Sequence, residues 1–196
     1  MSLESARALH PTRGRVDQVQ TRKADGFALI DMIFVCGIVG LLCSIALPRL
    51  ALAKQSAGAA SAIGSMRTMN SAQLTYALTC GSGFYAPSLT ALGTAPPGST
   101  EGFIGGGLGS ADTVIKSAYI IRMTATAYAL APDTCNQIGV GTAGQSFIGA
   151  ADPAENVGSP RFFATNANNV VYEHTSTLFG VMPETGVPPI GTVLGR

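Results

Sequence analysis

Residues 27–48 read FALIDMIFVCGIVGLLCSIALP, and Asp31 is the only charged side chain among them. As an α-helix rising about 1.5 Å per residue, this stretch would span roughly 33 Å, the thickness of the hydrocarbon core of a bilayer. The stretch therefore predicts one membrane-crossing helix, and it separates two parts of the chain that differ in composition.

The residues before this helix carry an excess of positive charge. Residues 1–26 contain five basic and three acidic side chains, whereas the whole chain has a formal net charge of +1. Because basic residues are retained on the cytoplasmic side of a membrane, this asymmetry predicts a cytoplasmic leader and an exported remainder. The small net charge gives no basic surface of the kind that binds nucleic acid, so no nucleic-acid partner is predicted.

A secretory signal and an ordinary membrane anchor are the alternatives for the apolar stretch. A secretory signal has an apolar core of about 7–15 residues and a small-residue cleavage site, whereas this run is longer and continues past Pro48. An ordinary anchor leaves Asp31 unexplained, because a carboxylate inside lipid costs on the order of 2–3 kcal/mol or more. Asp31 is therefore a candidate functional residue, and the simpler alternative is that its side chain reaches the cytoplasmic headgroups.

The residues around Asp31 carry a specific family resemblance. Residues 23–31 read KADGFALID, which resembles the prepilin processing motif of type IV pilins and type II secretion pseudopilins. In that family a basic leader ends in Gly, and a dedicated peptidase cleaves before a Phe that becomes N-methylated. The resemblance implies cleavage between Gly26 and Phe27, with Phe27 as the N-methylated residue.

The resemblance continues along the helix. Counted from Phe27, Asp31 is the fifth residue, Gly40 the fourteenth and Pro48 the twenty-second, where the family commonly has an acid, a Gly and a Pro. The family's acid is usually Glu, which is one methylene longer than Asp. A buried amine at a helix N-terminus opposes the helix dipole in a low dielectric, so Asp31 of a neighbouring subunit would stabilise it. Gly40 and Pro48 both weaken the helix, and the resemblance implies that it can loosen there when subunits pack. An ordinary kinked membrane helix is the alternative.

The resemblance implies a structural filament subunit of a type IV pilus or pseudopilus, not an enzyme. The implied partners are a prepilin peptidase and methyltransferase, identical or related pilin subunits, and an inner-membrane assembly platform. The implied location is the bacterial inner membrane before assembly, and a periplasmic or extracellular filament afterwards. No cofactor, metal or catalytic residue is predicted, since His174 is the only histidine outside the leader. The alternative is a monomeric, membrane-anchored extracytoplasmic binding or hydrolytic domain.

The rest of the sequence predicts an α+β fold in which the long helix packs on a small antiparallel sheet, and the resemblance implies that this fold is similar to that of pilins. Residues 1–26 form the leader, 27–52 the apolar half of the helix, 53–79 its amphipathic half, and 80–196 the exported head. Apolar residues at three- and four-residue spacing define the amphipathic face; they are Ala59, Ile63, Met66 and Met69. Within the head we expect a Gly/Pro-rich loop at 80–116, a sheet at about 117–174 and a C-terminal tail, with strands in 117–130, 145–151, 161–165 and 170–174.

The four cysteines fall into two pairs. Cys36 and Cys43 lie on one helix about 10.5 Å apart along its axis, too far to bridge, and we interpret them as apolar fillers. Cys80 and Cys135 both lie in the exported head, where an oxidising compartment permits a disulfide. Two unrelated free thiols are the alternative for this second pair.

Three polar residues near position 155 are the candidates for a calcium site, as some pseudopilins have. They are Asp152, Glu155 and Asn156. Their spacing matches no known calcium-binding loop. We therefore expect them to form a solvated turn.

Overall fold

The computed structural model describes residues 25–105, 107–154 and 160–195, with side chains from Leu29 onward. Residues 1–24 of the predicted leader lie outside this described part, as do Glu155 and Asn156. The chain divides into two compact units, Met1–Arg49 and Leu50–Arg196, and the second is called the head unit below.

Helix α1 (Asp25–Thr79) begins two residues before Phe27 and runs through the first unit. The large apolar side chains from Leu29 to Leu47 are between 42% and 70% exposed. The helix is long and apolar enough to cross a membrane. Its exposed apolar surface is what a lipid-facing segment requires, because lipid tails accept such side chains without cost.

The helix is uninterrupted at Pro48. Proline has no backbone N–H, so one hydrogen bond, to the carbonyl of Ser44, is missing there. Ser44 itself donates through Oγ to the carbonyl of Leu41 at 2.7 Å, in the turn before the proline.

The last part of α1 supplies one wall of the head unit's core. Ala59, Met66 and Met69 are at most 3% exposed, and Ile63 packs at the edge of the same cluster. The predicted apolar face of the helix is thereby confirmed. Tyr76 extends this buried face toward the end of the helix.

The sheet has six antiparallel strands, each hydrogen-bonded to the next in chain order. Alternate side chains of its strands, such as Ile121 and Phe163, join the core cluster of α1. The α+β class, with a long N-terminal helix packed on an antiparallel sheet, is confirmed. The strands are β1 (Thr113–Lys116), β2 (Tyr119–Thr124), β3 (Ile148–Pro153), β4 (Phe162–Asn166), β5 (Val171–His174) and β6 (Thr192–Val193).

The sheet extends beyond the range expected from sequence. The predicted loop at 80–116 contains α2 (Leu89–Gly93), a 3-10 turn (Leu108–Ser110) and β1, and the predicted C-terminal tail contains β6. Ser117 and Ala118, with φ of 51° and 64°, form the two-residue turn between β1 and β2. Such turns usually carry Asn-Gly or Asp-Gly, so this hairpin has no sequence signal.

The segment 175–191, called the C-terminal strap below, covers part of the other face of the sheet. Leu178 and Met182 pack there against Ala150, Ala164 and Tyr172. These three strand residues alternate with the ones that face α1, so apolar groups cover both faces of the sheet.

Candidate processing and assembly site

The predicted processing site lies in the first turn of α1. Gly26 and Phe27 have helical backbone, and the side chain of Phe27 lies outside the described part of the structure. Asp31 follows one turn later and is exposed, and its neighbours Ile30 and Met32 are 70% and 68% exposed. The four residues on either side of Asp31 in the sequence, 27–30 and 32–35, are all apolar, so none of their side chains can hydrogen-bond to the carboxylate.

Asp31 has no cationic partner among the residues whose side chains are described. The two ion pairs in that part of the chain are Arg122–Asp152 and Arg161–Glu173. A carboxylate on an apolar helix is stabilised by any cation that pairs with it, because the pair compensates an otherwise uncompensated charge. An amine is one group with that chemistry.

Gly40 has no role in packing within the described chain. A Cβ built on it, or on Gly37, meets no atom within 4 Å. Glycine at these positions leaves room for close approach by another helix. The expected loosening at Gly40 and Pro48 concerns packed subunits, and in the single chain α1 is continuous through both residues.

A disulfide joins Cys80 and Cys135, which are 55 positions apart in the sequence and whose Cα atoms are 4.8 Å apart. It ties the residue that follows α1 to the long segment between β2 and β3. Cys36 and Cys43 are free and exposed on α1. Their role as apolar fillers of this helix stays a prediction.

Asn136, next to the disulfide, connects three parts of the head unit and was not identified from sequence. Its Nδ2 donates to the carbonyl of Ala91 at 2.8 Å, and its Oδ1 accepts from Thr134 at 2.8 Å and from the Tyr76 hydroxyl at 3.3 Å. The side chain is 5% exposed. No local pattern marks it, because its partners lie up to 60 residues away.

Two polar residues of α1 also hold the head in place. The Gln73 side chain donates to the carbonyl of Ala86 and accepts from its N–H, both at 2.9 Å. Asn70 pairs with the hydroxyl of Thr165 on β4 at 2.9 Å. Both are buried on the same face of α1 as Met66 and Met69. A polar residue at a position where the helical spacing predicts an apolar one is the sequence signal that could have identified them.

Asp152 corrects the prediction of a solvated turn. It lies on β3, is 7% exposed, and forms an ion pair with Arg122 of β2. In the strand register Arg122 faces Ala150, so Asp152 is its diagonal neighbour on the same face of the sheet. The strap closes over this pair, since Thr177 donates to Asp152 and the Arg122 guanidinium lies 4.4 Å above the ring of Phe179.

Farther along the strap, Glu184 accepts hydrogen bonds from two residues outside it, Thr126 and Ser146. One carboxylate oxygen accepts from the N–H and the hydroxyl of Thr126, each at 2.7 Å, and the other accepts from Ser146 at 2.6 Å. Partial burial alone would raise the pKa of Glu184, but these hydrogen bonds to its ionised form lower the pKa below 4.5.

A cleft of about 150 Å³ opens where the head unit's part of α1 first meets the sheet. The hydroxyl of Tyr119 donates to the backbone carbonyl of Arg161 at 3.1 Å. The guanidinium of Arg161 donates to the carboxylate of Glu173. Burial raises the pKa of the Tyr119 hydroxyl above 10.0, against the opposing effect of the Arg161 charge. The lining residues are Leu52, Gln55, Ser56, Ala59, Tyr119 and Arg161.

Within the described residues, no group of three or more His, Cys, Asp or Glu side chains is placed to hold a metal ion. No family model, curated protein or solved structure matches the chain.

Proposed function

We propose that this chain is the structural subunit of a type IV pilus or pseudopilus filament. The observation that carries the proposal is that the first and last parts of the single helix α1 have different surroundings. Its first part presents exposed apolar side chains with one carboxylate, and its last part forms a wall of the head unit's core. A helix built in this way can serve both as a membrane segment and as the assembly element of a folded head.

Processing prepares the subunit for assembly in this proposal. A prepilin peptidase cleaves between Gly26 and Phe27, and a methyltransferase modifies the new amine of Phe27. Because lipid tails are as apolar as leucine side chains, transfer of α1 from lipid to a filament core gains little hydrophobic free energy. Polar contacts and close packing must therefore favour the filament over the membrane.

The Asp31 carboxylate supplies such a contact. It neutralises the methylated amine of Phe27 on the neighbouring subunit, so that two charges that are costly in an apolar medium compensate each other. The head unit is exported and faces outward, while the assembly platform of the inner membrane adds subunits at the base.

The N-terminus of the native protein tests the proposal. Mass spectrometry of protein from sheared filaments or membranes should find a chain that begins with N-methyl-Phe27. Gly26→Glu should block maturation, because the peptidase must accommodate a residue without a side chain beside the scissile bond. Gly14→Glu, which changes a leader glycine away from the site, should mature normally. Retention of residues 1–26 in the mature wild-type protein would favour a membrane-anchored monomeric domain instead.

A further inference from the structure

We propose that the cleft lined by Leu52, Ser56, Tyr119 and Arg161 binds the headgroup of an anionic phospholipid. Its occupant is the phosphate diester and glycerol portion of a lipid in the membrane that α1 crosses. The inference rests on membrane insertion of α1, which is part of the proposed function. It does not depend on filament assembly.

The short stretch of chain between Pro48 and Leu52 limits how far this cleft residue can lie from the end of the apolar stretch. Leu52 follows Pro48, the last residue of the apolar stretch, by four positions. Even a fully extended chain advances only about 3.5 Å per residue, so Leu52 lies within roughly 14 Å of the end of that stretch. The polar headgroup layer begins at this boundary, and it is therefore within reach of the cleft.

The charge of the surrounding chain favours an anionic membrane. Between Asp31 and Glu101 there is no acidic residue, whereas Arg49, Lys54 and Arg67 are basic. Basic residues next to a membrane segment attract anionic lipids. The segment that leaves the apolar stretch thus carries only positive charge where it enters the headgroup layer.

The cleft itself combines the groups that a phospholipid headgroup requires. The Arg161 side chain is 49% exposed, and Glu173 takes two of the five N–H donors of its guanidinium, through Nε and Nη2. An arginine held in this way presents its remaining donors in the planar arrangement that suits phosphate oxygens. Leu52, which is 64% exposed, offers an apolar surface to the glycerol and the first acyl carbons.

Lipid exchange on the full-length protein tests the proposal. The protein is extracted in detergent mixed with equal amounts of phosphatidylglycerol and phosphatidylcholine, and native mass spectrometry gives the ratio of the two lipids bound. We expect Arg161→Gln to lower the phosphatidylglycerol preference about fivefold, because one basic side chain near an anionic surface contributes about 1 kcal/mol. Arg161→Lys should retain most of the preference. Arg67→Gln removes the same charge from an exposed position 19 residues beyond Pro48 and should leave the ratio unchanged.

Three results would overturn the proposal. The first is equal binding of the two lipids by the wild-type protein, the second is the same effect from Arg161→Gln and Arg67→Gln, and the third is displacement of the bound lipid by inorganic phosphate at millimolar concentration. Alkaline carbonate extraction of cell membranes separates these results from failure of the proposed function. Protein that resists extraction but shows no lipid preference contradicts the headgroup site alone, and protein released by alkali contradicts membrane insertion itself.

Discussion

Asp31 is the residue on which the proposed assembly depends. It is the only charge in 22 residues of apolar helix, and no cation pairs with it among the described side chains. An acid that is costly in lipid and compensated in a filament would bias the subunit toward assembly. An acid that merely reaches the headgroups would have no such effect.

Substitutions of Asp31 distinguish these roles. Asp31→Ala should leave cleavage and membrane insertion intact but impair filament formation, because the amine of Phe27 loses its countercharge. Asp31→Glu should assemble at least as well as wild type, since the longer side chain reaches further, and Asp31→Asn should fall between Ala and wild type. The measurement is the ratio of sheared filament to membrane-retained subunit for each variant. Wild-type assembly by Asp31→Ala would show that neutralisation is not needed.

At the scale of elements, Gly93, Gly102 and Gly109 have a packing role that composition does not reveal. Gly93 at the end of α2 lies against the backbone of Gly109, and Gly102 lies against the backbone of Gly93. The three backbones approach each other so closely that a Cβ on any of them would overlap a main-chain atom of another. The backbone is therefore closely packed at these three glycines, where composition predicts only a loop.

Gly102→Ala should destabilise the head by about 1–3 kcal/mol, because the added methyl overlaps the carbonyl of Gly93 and the surrounding backbone must shift. Gly105→Ala is the matched control, since a Cβ there meets no atom within 4 Å. The free energy of unfolding of both variants can be measured by urea denaturation in detergent. Equal stability of the two variants would contradict the close packing.

The C-terminal strap should make stability depend on pH through Glu184. Its pKa in the folded state lies below the ordinary 4.5, so the ionised form stabilises the fold above that pH. This contribution disappears as the pH falls through the folded-state pKa. The stability difference between wild type and Glu184→Gln should therefore shrink as the pH falls below 4.5 and through the lower pKa of the folded state. Glu101→Gln, at an exposed loop position, should show no such convergence in the same urea titrations. If the difference in unfolding free energy between wild type and Glu184→Gln does not depend on pH, the ionised carboxylate does not stabilise the strap.

At the scale of the whole molecule, the disulfide between Cys80 and Cys135 links two parts of the head unit that are 55 positions apart in the sequence. Replacing Cys80 and Cys135 together by Ser should lower the free energy of unfolding by about 2–4 kcal/mol, chiefly by enlarging the unfolded ensemble. Replacing the exposed Cys36 and Cys43 by Ser should change it little. Intact-mass alkylation of exported protein provides a separate check, since two reactive thiols at positions 80 and 135 would show that the bond does not form.

The sequence by itself determined the features that depend on local composition and periodicity. The apolar stretch, its single acid, the buried face of α1 at Ala59, Met66 and Met69, and the α+β class are all readable within windows of a few turns. Strands β3 to β5 lie within about three residues of the predicted runs, whereas β2 ends at Thr124, six residues before the end of its predicted run at 130.

Only the tertiary structure decided the contacts between residues that are far apart in the chain. Asp152 was expected in water and is buried, because the strand register brings Arg122 beside it across 30 residues. Asn136 is buried and accepts a hydrogen bond from Tyr76, which is 60 residues away. In the cleft, the backbone carbonyl of Arg161 accepts a hydrogen bond from Tyr119, which is 42 residues away. Such pairings are set by strand register and helix packing, and these depend on the free energy of the complete core. No local window of sequence contains that information.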